Sequence, residues 1–452
     1  MVKRDNAIRR IRILNKALLA MFFTPLALLS LTIIASTEKT PITGRHRLIL
    51  LSPEEEETIH SQLTGNGWYA QVYDVLTSQS PDGKTPPTII PTSDWRWKWV
   101  EETLRRLEIG IYRIYQSNEL DQDAILLPVT EDDDVPIPPP LHHPLNPRPR
   151  AFTVVHGIPT DDPNRSHSVE NPHTQLGPPY SFVIVENPER NAFSYGFGAE
   201  GAGGIVLYSG FLDEVLQQSR SGHLIPSPQG NPPFLLRLFG LSTPPSPTIS
   251  RPSGEPTPEQ TASLATLLSH ELAHLLLSHH LETLSSGTIF VPTITSIVLD
   301  FARVILFPIT FLFGPFVGDA LTDFGKVGMG EVRKQSEACS SHMLELEADE
   351  VSIRLMRYAG FDPRKAVDFW ERKLDDFRAL DADSSVGTSN VSSQYSTESF
   401  WSPHHSALGS GPTSHPVGSE RVRKLKAELQ RWRNEAEKSK LRSESLNVEE
   451  KI

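Results

Sequence analysis

The chain has 452 residues and a formal net charge of −12, and 38% of its residues are hydrophobic, which allows one large or two ordinary folded domains. The acidic balance argues against nucleic acid as a partner, because phosphate binding requires a basic surface. The single cysteine, Cys339, excludes an intrachain disulfide framework and a multi-cysteine zinc site, so any metal must be held by histidines and carboxylates.

The first 36 residues form a separate unit. Residues 1–16 carry one acidic residue, Asp5, and these basic residues: Lys3, Arg4, Arg9, Arg10, Arg12 and Lys16. Residues 17–36 contain no charge and are long enough to cross a bilayer as a helix. The basic flank should stay on the cytosolic or matrix side, which places the remaining chain on the opposite face. The alternative is a cleaved signal peptide ending near Ala35, but the apolar run exceeds the usual core of roughly 7–15 residues, which favours an uncleaved anchor.

The next predicted elements are short. A strand is predicted over residues 43–51. A helix begins at Ser52, where a capping serine precedes Pro53 and acidic residues favour the positive helix end. A further amphipathic helix is predicted over residues 95–114, and strands are predicted over residues 151–156, 180–186 and 204–208.

Segments rich in proline, serine, glycine or threonine interrupt these elements. They cover residues 128–150, 217–257 and 376–414 and are predicted to be loops or flexible insertions. Around them we expect a catalytic body over residues 41–430, followed by a charged tail over residues 431–452.

The most informative helix opens at Thr257, which forms a capping box with Gln260, and nothing breaks it before about residue 284. It carries His270-Glu271-Leu272-Ala273-His274. Two histidines four residues apart share one face of a helix and can bind a single zinc ion, while Glu271 reaches the water that the metal activates. The alternative is two histidines that lie on a helix without binding a metal. A chance match to this motif is rare, and its position inside a predicted helix makes a chance match rarer still.

A catalytic zinc site needs a third protein ligand and an open fourth position. The candidate is Glu345, on a second predicted helix that ends at Gly360. Asp349 lies one turn further along the same face and could hold a ligating histidine through its other ring nitrogen. Glu347 is equally acidic but is expected to point elsewhere. An acid pair on a helix is usually solvated surface, so spacing alone does not assign the ligand.

Together these residues resemble the Oma-type mitochondrial inner-membrane metalloendopeptidases, relatives of the CAAX prenyl protease and of the bacterial heat-shock protease HtpX. The likeness rests on HExxH followed by ExxxD, here His270 to His274 and Glu345 to Asp349. It extends over further segments in the same order: 43–45 before 48–52, 185–193, 204–210, and Ser414-His415-Pro416 with Arg421.

The resemblance implies additional roles. It makes Glu345 the third zinc ligand. It also implies an edge strand that can pair with an extended substrate main chain. The residues of this strand are Gly204, Ile205, Val206, Leu207 and Tyr208. The alternative is an ordinary core strand. His415 would stabilise the oxyanion or plug the site, and its alternative is a surface histidine.

Two further features are the apolar stretch between the motif helices and the histidines that follow His274. The apolar stretch 288–317 contains Asp300, Arg303 and three prolines, so we expect helices packed over the zinc site or at the lipid interface rather than a second membrane span. His279 and His280 are interpreted as surface or packing residues on the motif helix.

The sequence therefore predicts an α+β, mainly helical, zincin-like peptidase domain with a small sheet, tethered by one N-terminal helix. It would bind one Zn2+, cleave unfolded or membrane-tethered proteins, and act in quality control at the mitochondrial inner membrane, facing the intermembrane space. The alternatives are a related peptidase of the ER and a non-catalytic zinc-binding scaffold or chaperone. A homo-oligomer is left open, and the mitochondrial placement rests on the resemblance.

Overall fold

The structure is a computed structural model that describes residues 2–78, 80, 83–117, 126–127, 129, 135–145, 177–218, 256–290, 293, 296–297, 342–385 and 418–449. Its N-terminal elements are α1 (Val2–Ala35), β1 (Thr37–Lys39), β2 (His46–Leu48), α2 (Pro53–Leu63), α3 (Asn66–Ser78) and α4 (Trp95–Gln116). The remaining elements are β3 (Ser181–Val185), β4 (Ala192–Gly196), β5 (Gly203–Tyr208), α5 (Ser209–Gln218), α6 (Pro258–Leu276), α7 (His279–Ser285), a π-helical turn (Ser286–Phe290), α8 (residues 342–358), α9 (Arg364–Ser385) and α10 (Ser419–Glu449). The described part is mostly helical with two small sheets, in agreement with the predicted class.

Several predicted features lie outside the described residues. They are the strand 151–156, Cys339, His415, most of the insertions 217–257 and 376–414, part of the insertion 128–150, and most of the apolar stretch 288–317.

The N-terminal helix joins the predicted basic segment and the predicted anchor. Its part Arg9–Ala35 is 27 residues long and contains an 18-residue window with a mean hydropathy of 2.3, and none of that window is buried against the rest of the described protein. At 1.5 Å per residue the part Arg9–Ala35 measures about 40 Å, enough to cross a bilayer. Length and composition alone also fit a signal sequence, so both interpretations remain.

The predicted edge strand is wrong. The three-stranded sheet has the order β3–β5–β4, which makes β5 its central strand. Val206 lies opposite Val183 of parallel β3 and opposite Phe193 of antiparallel β4, and every residue of β5 is buried. The residues concerned are Gly204, Ile205, Val206, Leu207 and Tyr208. An apolar run indicates burial but not which strands are neighbours, so the alternative core strand applies.

The two outer strands of this sheet have different surroundings. Beside β3, the Ile90 N–H donates to the Ile184 carbonyl at 2.9 Å, and the Glu186 N–H donates to the Thr88 carbonyl at 2.7 Å. Among the described residues, β4 pairs with β5 and with no strand on its other side. Among the described residues β4 is therefore an outer strand of the sheet; it packs against α6, and its residues Ala192, Ser194 and Gly196 are buried.

The core is built around α6, which packs against α4, α5, α9 and β4. Leu264, Leu268 and Leu272 on this helix are fully buried. A helix that is apolar on most sides is expected to be enclosed by other elements. Thr257 Oγ1 accepts from the Gln260 N–H at 3.2 Å, and Gln260 Oε1 accepts from the Thr257 N–H at 2.8 Å, which confirms the predicted capping box.

This helix ends before the predicted boundary near residue 284. Its last residue is Leu276, and Ser278 adopts a left-handed conformation with φ of 54° before α7 begins. The Arg47 guanidinium donates to the Leu277 carbonyl and so satisfies part of the helix end. The break makes His279 the first residue of a separate helix.

Other boundaries also differ from the predictions. The strand predicted over residues 43–51 is reduced to His46–Leu48. The third insertion was predicted to begin at residue 376, but α9 continues to Ser385. The helix predicted to begin after Ser52 is confirmed with its capping box to Glu55.

Candidate metal centre

Three predicted ligands converge in the protein interior. His274 Nε2 lies 3.2 Å from His270 Nε2, Glu345 Oε2 lies 3.1 Å from His270 Nε2, and Glu345 Oε1 lies 3.4 Å from His274 Nε2. Tetrahedral ligands at about 2.0–2.1 Å from a zinc ion are about 3.3–3.4 Å from one another. The three side chains therefore have the identity and the spacing of a zinc site with three protein ligands.

Two helices place these ligands. The histidines lie one turn apart on α6, so both rings leave the same face of that helix. Glu345 lies on α8, where Asp349 follows one turn later. All four side chains belong to buried residues, with His270 fully buried.

Asp349 supports His270 through the ring nitrogen that does not face the other ligands. His270 Nδ1 lies 3.0 Å from Asp349 Oδ1, and Arg421 donates to the two oxygens of Asp349 at 2.7 Å each. Burial raises the pKa of Asp349, but the charge and hydrogen bonds of Arg421 outweigh it and hold that pKa below its ordinary value. An ionised Asp349 accepts the Nδ1 hydrogen of His270 and leaves the Nε2 lone pair available to a metal.

Arg421 reaches the centre from α10. Its guanidinium carbon lies 3.7 Å from the ring centroid of Trp370, and its Nη1 lies 3.4 Å from Glu345 Oε2. Trp370 also packs edge-on against His270, with ring centroids 5.6 Å apart. Because a guanidinium is planar, it can bind a carboxylate through two nitrogens and stack on an indole at the same time.

The centre carries an excess of negative charge. Glu271, Glu345 and Asp349 are buried carboxyl groups around the Arg421 guanidinium, which leaves a formal excess of two negative charges when all are ionised. Burial and Arg421 both act against a positive charge on His270, yet Asp349 and Glu345 outweigh them and raise its pKa. Buried charge without compensation is costly, so this arrangement suits a divalent cation.

His274 has a support of its own. His279 Nδ1 lies 2.9 Å from His274 Nδ1, and His279 Nε2 lies 3.2 Å from Glu347 Oε2. Burial outweighs the hydrogen bond to Glu347 and lowers the pKa of His279 to about 3. Burial also opposes ionisation of Glu347, but hydrogen bonds from His279 and Arg45 hold its pKa below its ordinary value. A neutral ring thus links a candidate ligand to an ionised carboxylate.

Glu271, the candidate base, lies between the two histidines on α6 and is fully buried. The positive charge of Arg421 acts on it. His415, the other predicted catalytic residue, lies outside the described residues and stays a prediction.

The structure decides one open alternative and adds residues to which the sequence assigned no role. Of the surface and packing alternatives for His279, it shows a buried neighbour of His274, and Glu347 is not among the three ligands, as expected, but is buried and hydrogen-bonded. Trp370 belongs to no sequence motif. Arg421 was among the residues that carry the family resemblance, but no role was assigned to it. The helix break at Ser278, which carries His279 to His274, has no glycine or proline to indicate it.

A sequence model of peptidase family M48 matches residues 166–429, which is more than half of the chain. The match contains His270, His274, Glu345 and Arg421, and it does not contain Arg45. No curated protein and no solved structure matched the chain.

We expect Arg421→Gln to lower the free energy of unfolding by about 3–5 kcal/mol, because it leaves Asp349 as a buried charge without its counter-ion. Arg421→Lys should recover only part of this loss, since an ammonium cannot form the paired hydrogen bonds or stack on Trp370 in the same way. Chemical denaturation of the detergent-solubilised protein measures both changes.

The matched control for this prediction is Arg423→Gln on the same helix, where the side chain is 74% exposed. Its effect should stay within about 0.5 kcal/mol. An Arg421→Gln variant as stable as this control would contradict the role assigned to Arg421.

Proposed function

The chain belongs to peptidase family M48, whose members are zinc metallopeptidases, and from this premise we propose that it is a membrane-anchored zinc metalloendopeptidase. Its substrates would be unfolded or membrane-tethered proteins. The observation that carries the proposal is the convergence of His270, His274 and Glu345 at zinc-ligand spacing, with Glu271 buried beside them.

The chemistry follows from the residues of the centre. His270, His274 and Glu345 would hold the ion, which when bound supplies a Lewis acid and an acidified water. Glu271 would take the proton of the attacking water and deliver it to the nitrogen of the leaving amine. Arg421 would keep Glu345 and Asp349 in place during the reaction, since it contacts both. His415 would assist at the developing oxyanion, as the resemblance implies.

The substrate would bind along β4, the outer strand next to α6, where it would have to displace whatever covers the buried residues Ala192, Ser194 and Gly196. The Tyr208 N–H donates to the Asn191 carbonyl at 3.1 Å, so residues 191, 193 and 195 direct their backbone groups to β5. The backbone groups of Ser194 and Gly196 then point to the outer side. An extended peptide can add there as another strand, which allows binding with little selectivity for side chains.

The proposal also includes a location. We place the protein at the mitochondrial inner membrane, with the catalytic domain facing the intermembrane space and a role in protein quality control. It is supported by the membrane-length part of α1, the basic residues at its start and the resemblance to the Oma-type peptidases. The partners are then protein substrates and the lipid bilayer.

Glu271→Gln should leave zinc binding intact and lower the cleavage of an unfolded reporter protein by at least about 100-fold, because it removes the base but none of the ligands. The measurement compares turnover by detergent-solubilised variants with matched zinc content. Chelation should abolish the wild-type activity and added zinc should restore it.

Glu259→Gln is the matched control, an exposed glutamate in the first turn of the same helix, and it should cleave like the wild type. Equal cleavage by the Glu271→Gln variant, or wild-type biological function retained by it, would favour the non-catalytic scaffold and overturn the peptidase.

Ser194→Pro tests the edge strand. Proline removes the outward N–H of β4, and proline is tolerated at the edge of a sheet. We expect kcat/KM for an extended peptide to fall by about 10-fold or more, with zinc affinity unchanged. Ser194→Ala keeps the N–H and removes only the hydroxyl, so it should remain close to the wild type. Equal losses in the two variants would show that substrate does not pair with this edge.

The location is tested with a C-terminally tagged full-length chain. It should fractionate with mitochondrial inner membranes, resist alkaline carbonate extraction and become accessible to protease once the outer membrane is opened. A chain without residues 1–36 should be released by carbonate. Co-localisation with ER markers would overturn the placement, and carbonate release of the full-length chain would overturn the anchor.

A further inference from the structure

A turn near the N-terminus holds a buried carboxylate of α8. Glu347 accepts hydrogen bonds from the Thr40 hydroxyl at 2.8 Å, from the Thr43 hydroxyl, and from Arg45 Nε at 2.7 Å. The two terminal nitrogens of Arg45 each donate to Glu282 of α7 at 2.7 Å. Arg45 therefore joins two carboxylates from different helices.

This turn is held by hydrogen bonds and joins β1 to β2, shortly after α1. The Thr40 N–H donates to the Arg45 carbonyl at 2.8 Å, which closes residues 40–45 into a loop. Gly44 has φ of +70°, and a side chain there would collide with His143. Ala35, the last residue of α1, stands five positions before Thr40.

From Glu347 the contacts continue to a zinc ligand. His279 occupies the space between Glu347 Oε2 and His274 Nδ1, and it is 2% exposed. The path from the turn to the ligand is thus Arg45, Glu347, His279 and His274, and each link is a direct contact.

The direction of the hydrogen bonds follows from the metal end of this path. A metal bound at His274 Nε2 requires the ring hydrogen on Nδ1, where it donates to His279 Nδ1. His279 then carries its own hydrogen on Nε2 and donates to Glu347, since a carboxylate can only accept. One arrangement of hydrogens satisfies every contact and leaves the His274 lone pair directed at Glu345 and His270.

We propose that His279 is a positioning residue that fixes the tautomer and orientation of the zinc ligand His274, and that Glu347 and Arg45 hold His279 in place. The turn 40–45 would then support the metal centre by holding Glu347, which holds His279. This inference rests on the proposed zinc site. It assigns a function to residues 40–45, which lie outside the range matched by the family.

The two zinc-binding histidines then have separate supports. His270 is held by Asp349 and Arg421, within the matched range, whereas His274 depends on a turn from the membrane-proximal end of the chain. A change that withdraws Arg45 from Glu347 should therefore act on His274 and weaken metal binding without touching a ligand.

The experiment measures zinc affinity of the full-length, detergent-solubilised chain by competition with a chelator, and the absorption spectrum of its cobalt(II)-substituted form. His279→Phe keeps a ring but removes the acceptor for His274, so zinc affinity should fall by roughly 10–100-fold and the cobalt bands should shift. His279→Asn places an oxygen near the position of Nδ1 and should stay within about 3-fold of the wild type.

His60→Phe is the matched control. His60 lies on α2, and its Nε2 is 3.0 Å from the Ala199 carbonyl, so the variant removes a ring hydrogen bond of a kind similar to that of His279. Its zinc affinity and cobalt spectrum should equal those of the wild type.

Arg45→Gln tests the outer half of the path. In the wild-type background it should weaken zinc binding by about 3-fold, the cost of loosening the link to Glu347, and in the His279→Asn background, where that link is already cut, it should have no further effect. Equal effects in both backgrounds would overturn the path. This comparison also decides the question if His279→Phe does not fold.

The outcomes separate the inference from the proposed function. A wild-type chain that binds no zinc would overturn the zinc peptidase itself. Zinc binding by the wild type with identical affinity in His279→Phe and His60→Phe would leave the peptidase standing and overturn the role of His279.

Discussion

The ionic contact between Arg421 and Asp349 is the interaction on which the arrangement of this protein depends. It joins α10 to α8, and through His270 it reaches α6, the helix around which the core is built. Arg421 lies among buried carboxyl groups and is itself 1% exposed. Separating a buried ion pair is costly, so a shift of these helices that parted Arg421 from Asp349 would be strongly destabilising.

The compensation is still incomplete without a cation. Three carboxyl groups around one guanidinium leave negative charge that the described side chains do not balance, and the lone pairs of two imidazoles point at the same position. A bound divalent ion would balance this charge, so metal binding and the final packing of these helices are expected to be coupled.

Local chemistry in the sequence was sufficient to predict the two histidine ligands, whereas the third ligand, Glu345, was assigned by the family resemblance and the surroundings of the centre were not predicted. The spacing of His270 and His274, the capping box at Thr257 and the acid pair of α8 depend on contacts within one helical turn. Arg45 and Arg421 come from opposite ends of the chain, and no local pattern connects them to these helices. The strand β5 was misplaced for the same reason: an apolar run indicates burial, whereas its position between β3 and β4 depends on pairing across the sheet.

The break at Ser278 shows how a small backbone feature links two parts of the site. Because α7 starts there, His279 contacts His274, and the next residue, His280, has Nε2 at 3.4 Å from the Ser194 hydroxyl of β4. Consecutive residues of one short helix therefore contact the candidate metal ligand and a buried side chain of β4. Glu282, on the same helix, is held by Arg45. The helix α7 therefore contacts β4, the candidate ligand His274 and, through Glu282, the turn 40–45.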